Sequence, residues 1–199
     1  MNVVKVLEIG HGGVPMGRSV AAFAKILPSS VEYHGIEQPN TSNTYSEIAQ
    51  RIVQAETHLP DLIRSNIRFH RMDATSLTFE SGSFDEVHAH FFLSDPLVDS
   101  GLIRATIGES ARVLKTGGYL ILTGEVFFFS LEITEARDVV ALGASVNAGL
   151  SLVLNSVFDA INPGILDGIS TFSQYIAEFL DLRSFELLGG IQVLVFKKN

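Results

Sequence analysis

The chain has 199 residues, of which 46% are hydrophobic and 18% charged. This composition fits one globular domain with a sizeable core and excludes a disordered chain. A formal net charge of -8 disfavours a surface that tracks nucleic-acid phosphates, and the absence of cysteine excludes disulfides, thiolate metal sites and cysteine nucleophiles.

Residues 3–10, VVKVLEIG, form a β-branched apolar run of strand length. These first apolar residues already belong to a strand, so no leader peptide is expected. Past the glycines, RSVAAFAKIL (18–27) sets apolar residues at helical spacing and stops before Pro28. VEYHGIE (31–37) predicts a second strand, closed by the polar turn QPNTSN. TYSEIAQRIVQAETH (44–58) predicts a helix with Ile48, Ile52 and Val53 on one side. IRFHRMD (67–73) and SFDEVHAHFF (83–92) predict two more strands. LIRATIGESARVL (102–114) is amphipathic and helical, TGG is a turn, and YLILTGE (119–125) is again a strand. Such alternation predicts a single α/β domain over 1–199, with parallel strands and helices on both faces.

The last third differs. Residues 127–161 predict mostly helix and are unusually apolar, and STFSQYIAEFL (170–180) predicts a further helix. SFELLGGIQVLVFKK (184–198) reads as two strands joined near Gly189–Gly190, so the sheet is expected to end in an antiparallel pair. The most apolar stretch, 148–161, is too short for a membrane span and carries Asn155 and Asp159. A cytoplasmic protein without membrane association is expected.

A glycine turn between a first strand and a first helix lets backbone N–H groups approach a ligand closely. The dinucleotide fingerprint is G-x-G-x-x-G; Gly10 and Gly12 fit it, and Pro15 does not. By itself the turn is open to a structural role, a dinucleotide or another ligand.

Four stretches, in order, resemble the class I S-adenosylmethionine-dependent methyltransferases, and the resemblance extends over at least residues 4–124. VLEIGHGG resembles the first motif, an acidic residue two before a G-x-G loop. YHGIE is similar to the second, a strand ending in an acid. RMDATSLTFESGSFDEV resembles the stretch in which an aspartate follows the third strand, and ARVLKTGGYLIL the family's helix-turn-strand. The resemblance implies a Rossmann-like, mostly parallel seven-stranded sheet with an antiparallel last strand, and S-adenosyl-L-methionine as cofactor. It implies that Glu37 accepts the ribose hydroxyl protons, through charge-assisted bonds, and that Asp73, beside small Ala74, takes the adenine amino group. The bland alternatives are a solvated strand-end charge for Glu37 and an Asx turn for Asp73. Glu8 is expected to organise the glycine loop or meet the cofactor's ammonium, with the methionine end near Gly10, His11 and Gly12. Val14 and Pro15 depart from the family's loop, and Gly13 is expected to stand in for its third glycine. Many members carry helices ahead of the first strand that close over the cofactor. Here the helical insertion 127–182 is expected to act as the lid or, through 127–161, as a homodimer interface.

Methyl transfer needs nucleophile and methyl held in line, and sometimes a proton removed. His88 and His90 lie on one face of a strand. His90, at the strand end, is a candidate base with a pKa near working pH, or else caps the strand or stacks on the cofactor. His11 is a second candidate base. His88, His90 and Asp95 make a weak metal set, and no metal is expected. Asp95 reads as a cap for the helix that follows. The D/N-P-P-Y tetrapeptide of amino-methylating nucleic-acid enzymes is absent, so a small-molecule acceptor is expected and nucleic acid is not. Phe91, Phe92 and Phe127–Phe129 suit an apolar or aromatic acceptor, and core packing explains them equally well. Two other readings stay open: a catalytically inactive relative that binds a partner, and a nicotinamide-dependent oxidoreductase.

Overall fold

The computed structural model describes residues 3–10, 31–38, 47, 50, 51, 54, 65–90, 92, 95, 97–126, 131–158 and 190–199. Seven strands run through them: β1 (Val4–Ile9), β2 (Val31–Glu37), β3 (Ile67–Arg71), β4 (Phe84–Ala89), β5 (Leu114–Val126), β6 (Leu150–Phe158) and β7 (Gly190–Lys198). Helix α1 (Ser100–Val113) joins β4 to β5, and α2 (Leu131–Asn147) lies between β5 and β6. The strands form one sheet in the order β3-β2-β1-β4-β5-β7-β6. The first five are parallel, and β7 runs antiparallel between β5 and β6.

The apolar runs of β1 to β5 fold as their pattern demands. Leu7 and Ile9 of β1 sit beside Ile36, Val87 and Ala89 in one buried cluster with Leu120, Leu122, Leu194 and Phe196. Ile103, Ile107 and Ala111 of α1, spaced four apart, pack into this cluster from one side of the sheet, and Ala141 of α2 joins them. Fully burying a Leu, Ile or Phe side chain stabilises by about 1.5–3 kcal/mol, so this layer is the main apolar core. The opposite face is also buried, but carries Glu8, Glu86, His88 and His90 among its residues.

Two expectations change. Helix does not continue through 161: α2 stops at Asn147 and Gly149 takes a φ of +74°, after which Leu150 begins β6. A left-handed glycine is a common end to a helix, and the apolar content of SLVLNSVF suits a strand as well as a helix. The antiparallel partners of β7 are therefore β5 and β6. The predicted TGG turn is absorbed into β5, with Gly117 at a φ of +83° and a register shift opposite Phe84 and Glu86. At Gly118 an added Cβ would come within 2.6 Å of the Asp85 carbonyl, so this close approach requires glycine.

Glu47, Gln50, Arg51 and Gln54 are helical, in keeping with the predicted 44–58 helix. The predicted helices 18–27 and 170–180 and the strand 184–188 lie outside the described residues. Among the described residues no helix is long and apolar enough to cross a membrane.

Candidate functional site

The strand order reverses between β1 and β4, the switch point where open α/β sheets hold their ligands. Beside it, at the carboxyl ends of β1 and β2, lies a cavity of about 210 Å³. Ile9, Gly10 and Ile36 line it from the strand ends, Met72 and Ala74 from the segment after β3, and Phe92, Leu97, Val98 and Leu102 from the approach to α1 and its first turn. Glu37, Gln38 and Asp95 supply its polar lining.

Gly10 turns the chain out of β1 at a φ of +67°, donates its N–H to the Ile36 carbonyl at 3.0 Å, and has nothing within 4 Å of where a Cβ would stand. Only glycine adopts this conformation without strain. Glu37 ends β2, where its Oε1 accepts the Gln38 N–H at 3.2 Å and its carbonyl accepts the Met72 N–H at 2.9 Å. Those bonds align the ends of β2 and β3 around the cavity.

Asp73 is exposed and does not line the cavity, although Ala74 does. Its Oδ1 accepts the Thr75 N–H at 2.8 Å and the Thr75 hydroxyl at 2.7 Å, and these bonds hold its carboxyl below the usual aspartate range. The Asx turn weighed for this residue is present. Farther along, Arg112 donates to the carbonyls of Leu77 and Phe79, both at 2.8 Å, while Glu109 accepts the Leu77 N–H at 2.9 Å. This i,i+3 ion pair anchors the segment that follows Ala74. The arginine of ARVLK thus has a structural task.

Asp95 does not cap α1. Asp99 does, accepting the Leu102 N–H at 2.8 Å, because it stands three residues ahead of that donor. Asp95 instead makes its own turn: Oδ1 accepts the Leu97 N–H at 2.8 Å and the carbonyl accepts the Val98 N–H at 3.0 Å.

Glu8, Tyr33, His88 and His90 lie on the other face of the sheet from Leu7 and Ile9. Tyr33 donates its hydroxyl to Glu8 Oε2, whereas Glu8 Oε1 is buried with no hydrogen-bond partner. Burial raises the Glu8 pKa, against the Tyr33 bond and the nearby His88, and Glu37 adds to the rise. His88 Nε2 lies 2.9 Å from Glu86 Oε2, and His90 Nδ1 lies 3.3 Å from Thr123 Oγ1. Burial, with His88 adding to it, lowers the His90 pKa to about 3. Burial thus disfavours the charged imidazolium at His90, and the residue does not line the cavity.

Sequence reasoning singled out neither His34 nor His70. Their rings stack, with centroids 5.1 Å apart, and His34 Nε2 lies 3.0 Å from Glu32 Oε1. Burial lowers the pKa of both histidines. Of the predicted cofactor residues, the structure brings Gly10, Glu37 and Ala74 to one cavity, with Glu8, Asp73 and His90 outside its lining. His11, Gly12, Gly13, Phe91 and Phe127–Phe129 lie outside the described residues. Met72, Leu97, Val98 and Leu102 were missed, since apolar wall residues carry no chemical signature.

Comparison with solved structures finds the same fold at low identity. Geranyl diphosphate C-methyltransferase from Streptomyces coelicolor A3(2) superposes with a TM-score of 0.62 at 13% identity, over 98% of this chain and 71% of that one. A methyltransferase from Methanosarcina mazei gives 0.63 at 15% identity, over 100% and 93%. The cyclase SpnF gives 0.63 at 17% identity, over 99% and 76%. No curated protein matches in sequence. The methyltransferase-domain family matches residues 9–122, more than half of the chain and the part that builds the cavity from Ile9 to Leu102. The chain belongs to this family, whose members use S-adenosylmethionine.

Proposed function

We propose that the protein is an S-adenosylmethionine-dependent methyltransferase acting on a small apolar molecule, with the cofactor's nucleoside in the cavity between Gly10, Glu37 and Ala74. One observation carries this reading. The cavity joins the left-handed Gly10 and a strand-end carboxylate to apolar walls, and among the described residues no lysine or arginine lines it. A nucleoside, whose ribose suits a strand-end carboxylate, fits that lining, and Pro15 at the third position of the dinucleotide fingerprint disfavours a dinucleotide.

When bound, the cofactor supplies an electrophilic methyl on a sulfonium. Glu37 accepts the ribose hydroxyl protons. Ala74 leaves room for the adenine edge, and Asp73, just outside the lining, offers its Oδ2, the carboxylate oxygen that Thr75 does not engage. Glu8 supports the reading too, because its unpartnered Oε1 is a buried acceptor suited to the ammonium, directly or through water. Gly12, Gly13 and His11 complete the methionine end of the loop. His90 serves as a neutral hydrogen-bonding side chain beneath the site, not as a base, so methyl transfer relies on alignment of the acceptor.

The apolar acceptor is supported by Phe92 and by Leu97, which is 85% exposed at the cavity. It is further supported by the Streptomyces relative, crystallised with geranyl diphosphate. Val146, Leu152 and Val153, exposed on α2 and β6, support an interface between two copies of the chain in the cytoplasm. The weak basicity of His90 favours a second reading, a methyltransferase-like protein without catalysis that binds a partner.

Glu37→Ala tests the site. Calorimetry is expected to show a loss of about 10- to 100-fold in affinity for S-adenosylhomocysteine, the scale of two charge-assisted hydrogen bonds. Unchanged affinity contradicts the assignment. Transfer of labelled methyl to apolar acceptors separates the enzyme from the partner-binding reading, and a preference for polar acceptors overturns the apolar one.

A further inference from the structure

The cavity wall formed by Asp95, Leu97 and Val98 is held unevenly: Val98 is buried in the core cluster, whereas Asp95 and Leu97 are exposed. It is a short turn between β4 and α1, and Leu97 is 85% exposed. Its shape depends on the Asp95 side chain and carbonyl, which accept the N–H groups of Leu97 and Val98. One further donor reaches the same carbonyl from elsewhere in the fold. Arg137, on α2, donates from Nη1 to the Asp95 carbonyl at 2.9 Å across 42 residues of sequence. That oxygen therefore accepts two donors, one from inside the turn and one from a separate helix, which satisfies both of its lone pairs.

We propose that Arg137 is a positioning residue for cofactor binding: it ties the Asp95–Val98 wall to α2 and so fixes the side of the cavity opposite Glu37. This rests on the cofactor reading given above. Helix α2 is itself seated on the core through Ala141, one turn beyond Arg137, and packs along α1, so it offers the exposed part of the turn a fixed anchor. A guanidinium hydrogen bond to a carbonyl is charge-assisted, and Arg holds it with less loss of side-chain freedom than Lys. Without the bond the turn keeps its internal contacts but loses its attachment. The wall then samples positions in which Asp95 and Leu97 no longer close on the ligand, while Val98 keeps its seat in the core, and cofactor affinity falls even though no group that touches the cofactor has been removed.

The test uses the full chain with Arg137→Ala and Arg137→Lys and has two readouts. Hydrogen exchange of the peptide spanning 95–99, measured without ligand, is expected to be at least fivefold faster in R137A and intermediate in R137K. Calorimetry with S-adenosylhomocysteine is expected to give a five- to tenfold weaker Kd for R137A, with partial recovery in R137K, which can still donate one bond. Unchanged exchange in R137A overturns the tether. Faster exchange with wild-type affinity overturns the positioning role. If the wild-type chain fails to bind S-adenosylhomocysteine, the proposed function falls and the cofactor role of Arg137 with it, whereas wild-type binding with no change in R137A overturns the role of Arg137 alone.

Discussion

Leu7 and Glu8 are neighbours in β1 and are buried alike, yet they face opposite sides of the sheet and different chemistry. On the Leu7 side, Ile9, Ile36, Val87, Leu120, Leu122 and Phe196 make an apolar layer under α1 and α2. On the Glu8 side lie Tyr33, Glu86, His88 and His90, with a carboxylate oxygen left unpartnered and a histidine whose basicity burial has largely removed. Parallel strands buried on both faces ordinarily read as continuous apolar runs. A face that buries carboxylates and imidazoles gives up stability, and such places tend to be where function is kept. The Leu7 face holds the apolar core, and its Ile9 and Ile36 also line the cavity; the Glu8 face holds buried ionisable groups outside that lining.

The contrast can be broken most forcefully at Leu7. Leu7→Ala is expected to cost about 2–5 kcal/mol in chemical denaturation, through lost burial and the cavity left behind, while affinity for S-adenosylhomocysteine stays near wild type. A loss below 1 kcal/mol would mean that the two faces do not differ as described.

The second test concerns pH. The folded pKa values of His34 and His70 are lowered by burial, and that of His90 falls to about 3, whereas the unfolded chain takes up protons near 6.5. As pH falls below about 6.5 the unfolded state binds protons that the folded state refuses, so stability drops, by up to about 1.4 kcal/mol per pH unit for each histidine. For His90 the loss continues down to a pH of about 3. His90→Gln is expected to flatten the slope by one histidine's share between these limits. Urea titrations at successive pH values read it directly, and an unaltered slope would show that His90 titrates in the folded protein.

Glu8 carries the opposite sign and the smallest effect. A carboxylate whose folded pKa is raised contributes stability below its unfolded value of 4.5 and loses it as pH rises through the folded value. Glu8→Gln is thus expected to gain about 1 kcal/mol at neutral pH and to weaken cofactor binding. A variant that is both less stable and equally tight-binding would return Glu8 to a purely structural role.

How far the sequence could be read depends on the kind of signal each residue leaves. Strands β1 to β5 were legible because each is a short apolar run closed by a glycine or a polar turn, and the order of four motifs supplied the topology. β6 was not, since SLVLNSVF has the same apolar content as the helix before it; the stop signal was Gly149, which spacing alone does not weigh. Among the cavity-lining residues, Gly10, Glu37 and Ala74 were singled out through the motifs that carry them. Leu97 and Val98 were not, because apolar walls resemble core. Arg137 could not be found at all, since its contact with Asp95 arises only when α2 folds back beside α1. The basicity of His90 was not legible for a related reason: burial, which position along the chain does not reveal, lowers it.

The central claim is that the cavity beside Glu37 and Gly10 takes an adenosyl cofactor and not a dinucleotide. Calorimetric titration of the wild-type chain with S-adenosylhomocysteine and, in parallel, with NAD tests it most directly. The account predicts saturable one-to-one binding of S-adenosylhomocysteine and none of NAD. Binding of NAD alone would contradict it.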